Sequence, residues 1–217
     1  MKQQHIPLAL EGYPFIALSG FITFILALTG PNTLAFIGLV TTIFVIYFFR
    51  DPTRVTPDDP GAVICPADGK IILIKEIDDN CFLKGKALKI SIFMNVFNVH
   101  VNRIPVAGTV ESITFKPGKF YSADKEKAEL HNEYCAVILA TPAGIRYCVV
   151  QVAGLIARRI ICRVEKNDTV TAGQRYGLIR FGSRLDLYLP PDTRINVQLR
   201  DTVKAGETIL AHLKENT

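Results

Sequence analysis

The sequence lacks the cysteine patterns that cross-link small extracellular domains or hold structural zinc. Its five cysteines are an odd number, they are widely spaced, and no two of them form a Cys-x-x-Cys pair. Disulfide frameworks and structural zinc sites need paired or closely spaced cysteines. We therefore expect free thiols, a reducing compartment and no metal site. The five residues are Cys65, Cys81, Cys135, Cys148 and Cys162.

Charged side chains are almost missing from the first 49 residues, where Lys2 and Glu11 are the only ones. Two uncharged runs, residues 14–30 and 34–49, are separated by a Pro-Asn-Thr turn signal. Each run is slightly shorter than the roughly 20 residues of a full membrane span. We therefore predict that residues 1–49 form a tight helical hairpin that enters a membrane. The alternative is a buried helix pair in a soluble fold.

The excess of positive charge lies in the rest of the chain. There are 25 Lys and Arg residues against 20 Asp and Glu residues, and the net charge of +5 falls on residues 50–217. A basic domain suits anionic partners. The sequence has no aromatic-rich RNA motif and no basic recognition helix, which favours membrane phospholipid over nucleic acid. Lys2, Arg50 and Arg54 flank the apolar runs, so the positive-inside rule predicts a cell-membrane protein whose main domain faces the cytoplasm.

From residue 50 onward the pattern is that of a β domain. Short apolar or alternating runs, such as residues 70–77 and 88–94, are separated by Gly, Pro, Asn or Asp. This spacing is typical of all-β sandwiches and barrels. Residues 168–174 and 201–207 are identical at five of seven positions, and their hairpin resembles the turns of barrel-sandwich domains. We predict a mainly β (α+β) fold with a β-sandwich or barrel-sandwich-like domain at residues 50–217.

One extended segment combines strand alternation with a Gly-Ser pair. Leu185, Leu187 and Leu189 alternate with polar residues, which predicts a half-buried strand. Gly182 and Ser183 precede the first leucine, and glycine in an extended segment often marks a bulge or a close backbone approach. The simplest interpretation is a β-bulge that carries a solvent-facing serine.

Two other residues give this serine a chemical setting. Asp68 lies in an Asp-Gly turn before a predicted strand, and His100 lies among apolar and amide residues. Together with Ser183 they supply the side chains of an activated hydroxyl, in which imidazole takes the proton and a carboxylate orients the ring. Taken singly, Asp68 is explained as a turn residue and His100 as a core histidine.

Motifs in the order of the chain, from about residue 48 to about 190, resemble the short bacterial and archaeal form of phosphatidylserine decarboxylase. Several of them are long enough to be specific, and they include the surroundings of Asp68, His100 and Ser183. The matching segments are residues 48–52, 66–69, 92–94, 98–103, 117–120, 132–133, 151–160 and 173–184.

The resemblance implies a proenzyme that cleaves itself between Gly182 and Ser183. The products would be a β chain, residues 1–182, and an α chain, residues 183–217, held together non-covalently as strands of one sheet. Ser183 would become a covalent pyruvoyl cofactor that converts phosphatidylserine to phosphatidylethanolamine and CO2 through a Schiff base. Higher oligomers of this heterodimer are compatible with the resemblance.

The resemblance also implies roles for individual residues. Ser183 is the nucleophile and the pyruvoyl source, His100 is the general base, and Asp68 is the carboxylate that orients it. Arg103 and Arg184 are candidates for binding the lipid phosphate or the substrate carboxylate. Longer members carry His-x-x-His where this chain has His100 and Arg103. Either His100 serves both processing and decarboxylation, or Arg103 replaces one histidine.

Two other functions fit parts of the sequence. The chain order Asp68, His100, Ser183 also fits a serine hydrolase, although the chain has no Gly-x-Ser-x-Gly elbow. The repeated hairpin and the apolar N-terminus fit a membrane-anchored barrel-sandwich adaptor without catalysis. Self-cleavage separates these functions, since only the decarboxylase would become two chains.

Overall fold

The computed structural model of the chain describes residues 7–118, 132–154, 159–180 and 183–214. The chain divides into two compact units, Met1–Thr53 and Arg54–Thr217. The predicted domain boundary, after residue 49, falls close to this division. Gly182, the first residue of the predicted cleavage site, lies outside the described residues.

The first unit contains a pair of helices joined by a tight turn. Helix α1 covers Tyr13–Thr29 and helix α2 covers Asn32–Phe48. The hydroxyls of Thr23 and Thr42 are hydrogen-bonded across the pair at 3.0 Å. A Cβ atom at Gly38 would lie 2.8 Å from Thr23 Oγ1, so glycine permits this close approach of the helices. The predicted helical hairpin is confirmed.

The helices expose large apolar side chains, among them Phe21, Phe24 and Phe36. A 3-10 turn at Leu10–Gly12 extends α1, so the helical run Leu10–Thr29 has 20 residues. By length and composition this run could cross a membrane, whereas α2 has 17 residues. The first half of the hairpin is longer than the sequence predicts, because helical backbone begins before the uncharged run does.

All the regular secondary structure in the described part of the second unit is β-strand. Short strands with glycine, proline and asparagine between them follow the turn signals of the sequence. The strands are β1 Ala62–Ile64, β2 Gly69–Asp79, β3 Gly85–Met94, β4 Val101–Arg103, β5 Gly108–Lys116, β6 Tyr134–Ala140, β7 Arg146–Ala153, β8 Ile160–Cys162, β9 Thr169–Val170, β10 Arg175–Ile179, β11 Ser183–Leu189, β12 Arg194–Ile195, β13 Thr202–Val203 and β14 Ile209–His212.

Eight strands form one sheet in the order β13-β2-β3-β11-β7-β6-β5-β9. Two smaller sheets have the orders β1-β14-β12 and β4-β10-β8. Neighbouring strands in all three sheets are antiparallel. The predicted fold class is confirmed: the domain is mainly β, and it follows an N-terminal helical hairpin.

Strand β11 lies inside the large sheet, paired with β3 on one side and β7 on the other. Its leucines point into the main hydrophobic core, on what we call the core face of the sheet. Successive strand side chains alternate, so the residues between the leucines point to the opposite side, the second face. All seven residues are buried, so the predicted half-buried strand is a fully buried one. The second face carries Arg184, Asp186 and Tyr188, and aromatic residues such as Phe82 pack there.

Candidate active site

Ser183 is the first residue of β11 and lies between Met94 on β3 and Ala153 on β7. Its side chain is on the core face and has no exposed surface. The hydroxyl donates to the Met94 sulfur at 3.8 Å, and a thioether is a weak acceptor. The interpretation of a solvent-facing serine is wrong, because paired strands on both sides and the core beneath enclose the residue.

His100 is buried immediately before β4. Its backbone carbonyl accepts a hydrogen bond from Ile179 N at 3.3 Å, and the chain reaches Ser183 four residues after Ile179. The Nδ1 atom lies 2.9 Å from the Asn98 carbonyl oxygen. Because a carbonyl can only accept, Nδ1 carries a proton, so when the ring is neutral its lone pair is on Nε2. The ring is therefore in the tautomer that can take a proton at Nε2.

The loop between β3 and β4 fixes the carbonyl that orients His100. Asn98 Oδ1 accepts from the Asn95 backbone N–H at 2.9 Å, and Asn95 Oδ1 accepts from the Phe97 N–H at 2.9 Å. Asn98 N also donates to the Asn95 carbonyl at 3.0 Å. These bonds make a rigid asparagine turn. Sequence reasoning missed this role, although two asparagines three residues apart are a usable signal for such a turn.

Two buried amide side chains, Gln151 on β7 and Asn102 on β4, form a chain of hydrogen bonds that ends at the atom Ser183 contacts. Gln151 Nε2 donates to Asn102 Oδ1 at 2.9 Å, which fixes the orientation of the Asn102 amide. Asn102 Nδ2 then donates at 3.6 Å to the Met94 sulfur, the same atom that the Ser183 hydroxyl contacts. No local sequence pattern predicts this pair, since 49 residues separate the two amides.

Asp68 directly precedes β2. It lies at the end of the large sheet that also contains Met94, the last residue of β3. A Cβ atom at Gly69 would overlap a carbonyl oxygen of β3, so the Asp-Gly pair lets the strands meet. Asp68 Oδ1 accepts from Ala205 N at 2.8 Å, and Oδ2 accepts from Arg54 Nη2 at 3.0 Å. That Asp68 orients His100 stays a prediction, because these contacts tie the carboxylate to other groups.

The two predicted substrate-binding arginines lie in different surroundings. Arg103 is on β4, three residues after His100, and its Nη1 donates to the Gly173 carbonyl at 2.9 Å. Arg184 lies on the second face, where its guanidinium contacts both oxygens of Asp186. The fold therefore keeps Arg103 on the segment that carries His100, but it turns Arg184 away from the side on which the Ser183 hydroxyl lies.

A cysteine near Asp68 could compete with Ser183 as a nucleophile. Cys65 is fully buried and donates to the Ala67 carbonyl at 3.0 Å. Burial raises the pKa of its thiol well above the ordinary range, and the nearby Asp68 charge adds a smaller increase. The thiolate is the reactive form of cysteine. Cys65 is therefore an inert thiol at neutral pH, and Ser183 is the better candidate for the nucleophile.

A family profile described as phosphatidylserine decarboxylase matches residues 41–211. The chain belongs to the phosphatidylserine decarboxylase family. A Desulfotalea psychrophila protein named phosphatidylserine decarboxylase proenzyme is 56% identical over 213 residues, which cover 98% of this chain and 100% of the relative. Proteins of the same name from Geotalea uraniireducens and Syntrophotalea carbinolica are 50% and 48% identical and cover 98% and 99% of this chain. Both relatives are covered over their full length.

Membership of this family confirms the resemblance seen in the sequence motifs. The matched range includes Asp68, His100 and Ser183. The relatives are named as decarboxylases, which goes against both the serine hydrolase and the adaptor without catalysis. They are also named proenzymes, a word that denotes a precursor requiring activation.

Proposed function

We propose that this chain is a proenzyme that cuts itself between Gly182 and Ser183, and that the two-chain product decarboxylates phosphatidylserine to phosphatidylethanolamine and CO2. The observation that carries the proposal is the position of Ser183. It is a buried hydroxyl at the first position of an inner strand, and His100, with its Nε2 lone pair, lies beside the segment that leads to it.

Self-cleavage needs a nucleophile, a base and a bond that can break. In the proposed reaction Ser183 Oγ attacks the carbonyl carbon of Gly182, and His100 Nε2 takes the hydroxyl proton. The bond between Gly182 C and Ser183 N breaks, the nitrogen gains a proton, and an ester joins the two chains. Removal of the Ser183 α-proton expels the ester oxygen as the Gly182 carboxylate. The dehydroalanine that remains takes up water and releases ammonia, which leaves a ketone at the new terminus.

The residues around Ser183 fit a pyruvoyl group, which uses the serine's own carbon skeleton. Its methyl group would be the former Ser183 Cβ, next to the Met94 sulfur, and apolar contact there suits a methyl better than a hydroxyl. Once formed, the pyruvoyl ketone supplies the electrophile for the headgroup amine and the electron sink for loss of CO2. Pairing of β11 with β3 and β7 would hold the small chain in place after the cut.

The chain's own polar groups then orient the ring and the substrate. The Asn98 carbonyl keeps the proton of His100 on Nδ1, so that Nε2 accepts a proton in cleavage and returns one to the product carbon. Arg103, on the same segment, is the arginine we assign to the anionic headgroup. Asp68 would act at longer range, by holding Arg54 and the turn at Ala205, whose next residue, Gly206, packs closely against the Arg103 side chain.

The direct test compares the wild-type chain with Ser183→Ala, using Ser112→Ala on β5 as the matched control. Each purified protein is incubated with vesicles of phosphatidylserine, and release of CO2 and formation of phosphatidylethanolamine are measured. Wild type and Ser112→Ala should react, and Ser183→Ala should not. Release of CO2 by Ser183→Ala at the wild-type rate would remove Ser183 from the mechanism.

We also propose that the helical hairpin delivers the enzyme to a cell membrane with the β domain on the cytoplasmic side. Exposed phenylalanines on both helices support membrane association. Replacing Phe24 and Phe36 with arginine should move the protein to the soluble fraction, because each arginine costs roughly 2.5–3.5 kcal/mol in a membrane. Phe115→Arg, at an exposed site on β5, is the control and should leave the membrane fraction unchanged. Equal distribution of all three proteins would contradict membrane association through the hairpin.

A further inference from the structure

Three charged side chains lie buried together on the second face, opposite Ser183. Arg184 Nη2 donates to Asp186 Oδ2 at 2.9 Å, and Arg184 Nε lies 2.8 Å from Asp186 Oδ1. Lys89 Nζ lies 3.3 Å from Asp186 Oδ2. The three residues are between 1% and 4% exposed. We call Lys89, Arg184 and Asp186 the buried charge cluster.

The surroundings of this cluster are mostly apolar, with the buried Ser91 opposite Asp186 on β3. Cys148, Val150, Val152 and Tyr188 are buried on the same face. Taking charged groups out of water is costly, and a buried ion pair is often no more stabilising than apolar residues of similar volume. Fixing the position of a segment is the best-attested use of such groups. We therefore expect the buried charge cluster to hold a segment of the chain in position.

The segment that needs fixing is the start of β11. Lys89 belongs to β3, on the large product of the proposed cleavage, and Arg184 and Asp186 belong to the small product. After the cut Ser183 would be a chain terminus, and free termini fray unless contacts hold them. The first apolar anchor on the core face is Leu185, two residues inside the new terminus. Residues 183 and 184 therefore depend on the sheet and on contacts made from the second face.

We propose that the buried charge cluster is a clamp that holds the new terminus in register after cleavage. Lys89 fixes Asp186 from the neighbouring strand, and Asp186 fixes the guanidinium of Arg184, the residue that follows Ser183. Because side chains alternate, the clamp acts from the second face and leaves the core-face site clear. Lys89, Asp186 and Arg184 are thus positioning residues, and this role rests on the proposed self-cleavage.

The test compares Lys89→Met in two forms of the protein. The cleavable chain gives the two-chain form, and a Ser183→Ala background gives the uncut form. Lys89→Met leaves the Arg184–Asp186 pair intact and neutral, and so avoids an unpaired buried carboxylate. Asp186→Asn removes the carboxylate that both Lys89 and Arg184 contact, and serves as the second variant. Glu111→Gln is the matched control, since it breaks the exposed pair with Arg146, whose Nε lies 2.7 Å from Glu111 Oε2.

Lys89→Met should cleave to the same extent as wild type, as measured by intact mass. Its melting temperature should fall further in the cut form than in the uncut form, by about 5 °C more, a value set by the few kcal/mol expected of a lost terminal contact. Turnover per titratable ketone should fall about tenfold or more, while KM changes less, because a displaced terminus loses the reacting geometry. Asp186→Asn should show the same pattern, and Glu111→Gln should show neither change.

An equal loss of melting temperature in the cut and uncut forms, with unchanged turnover per ketone, would overturn the clamp and leave self-cleavage standing. A wild-type chain that stays whole would instead overturn the proposed function, and the clamp with it. Intact mass therefore separates the two failures before any melting or turnover is measured.

Discussion

The two faces of strand β11 have different compositions and, in our account, different tasks. The core face carries Ser183 followed by leucines, which pack into the main hydrophobic core. The second face carries an arginine, an aspartate and a tyrosine, all equally buried. One strand thus carries Ser183 and leucines on one side and a charged cluster on the other. Burial alone therefore does not define an apolar core, because equally buried side chains are apolar on one face and charged on the other.

The alternation of a strand makes this division possible. A residue and its neighbour point to opposite sides, so Ser183 lies on the core face while Arg184 lies on the second face. A shift of one residue in register would exchange the two faces, which would put the arginine in the core and the serine among the charges. The pairing of β11 with strands on both sides makes such a shift costly.

The largest effect should come from the core face. His100→Ala removes the proposed base, and general acid–base groups contribute about 10²–10⁴-fold to rate, so self-cleavage should slow by that factor. The fraction of cut chain is followed on a denaturing gel after the protein is made in vitro. His212→Ala is the control. His212 lies near the surface with its Nε2 atom 3.0 Å from Asp59 Oδ2, so this variant should cleave normally. Equal cleavage rates for the two variants would exclude His100 as the base.

A second change on the core face tests the apolar anchors without touching the chemistry. Leu187→Ala leaves a cavity in the main core and should lower the free energy of unfolding by about 2–5 kcal/mol. Urea unfolding is measured in the Ser183→Ala background, so that both proteins are single chains. Leu199→Ala, at a site 55% exposed, should cost less than about 0.5 kcal/mol. If Leu187→Ala costs no more than Leu199→Ala, the leucines do not anchor β11.

The smallest of these effects should come from the aromatic part of the second face. Tyr188→Leu removes a ring that packs against Phe82 with centroids 5.1 Å apart and that lies under Lys89 Nζ at 5.2 Å. Aromatic and cation–π contacts of this kind contribute about 0.5–2 kcal/mol. We expect a loss of stability in that range and normal self-cleavage. A cleavage defect as large as that of His100→Ala would show that the second face takes part in the reaction.

The sequence predicted the strand, the hairpin and the fold class because these depend on local patterns. Alternating leucines marked β11, and two uncharged runs marked the helices. Burial of the second face was not predictable in this way, since arginine and aspartate in a strand normally face water. Asp186 is buried against Lys89, which lies about a hundred residues earlier in the chain and is brought close by the pairing of β11 with β3.

Site residues that belong to a sequence motif were predictable. Site residues that matter through a contact with a distant part of the chain were not. Ser183 and His100 stood out by residue type and setting, the family resemblance implied their roles, and the structure brings their segments together. The Gln151–Asn102 pair and the Arg54–Asp68 pair join positions 49 and 14 residues apart, and a single sequence gives no record of such contacts. The bond between the His100 ring and the Asn98 carbonyl is local, and the two asparagines of that turn are the sequence signal for it.

The measurement that tests the central claim most directly is the intact mass of the purified wild-type protein. We predict two species from the 24.1 kDa chain, of which the smaller, with 35 of 217 residues, has a mass of about 4 kDa. It should be lighter by one ammonia than a chain beginning with a free serine, and it should react with a carbonyl reagent. A single species of 24.1 kDa in a preparation that decarboxylates phosphatidylserine would contradict the account.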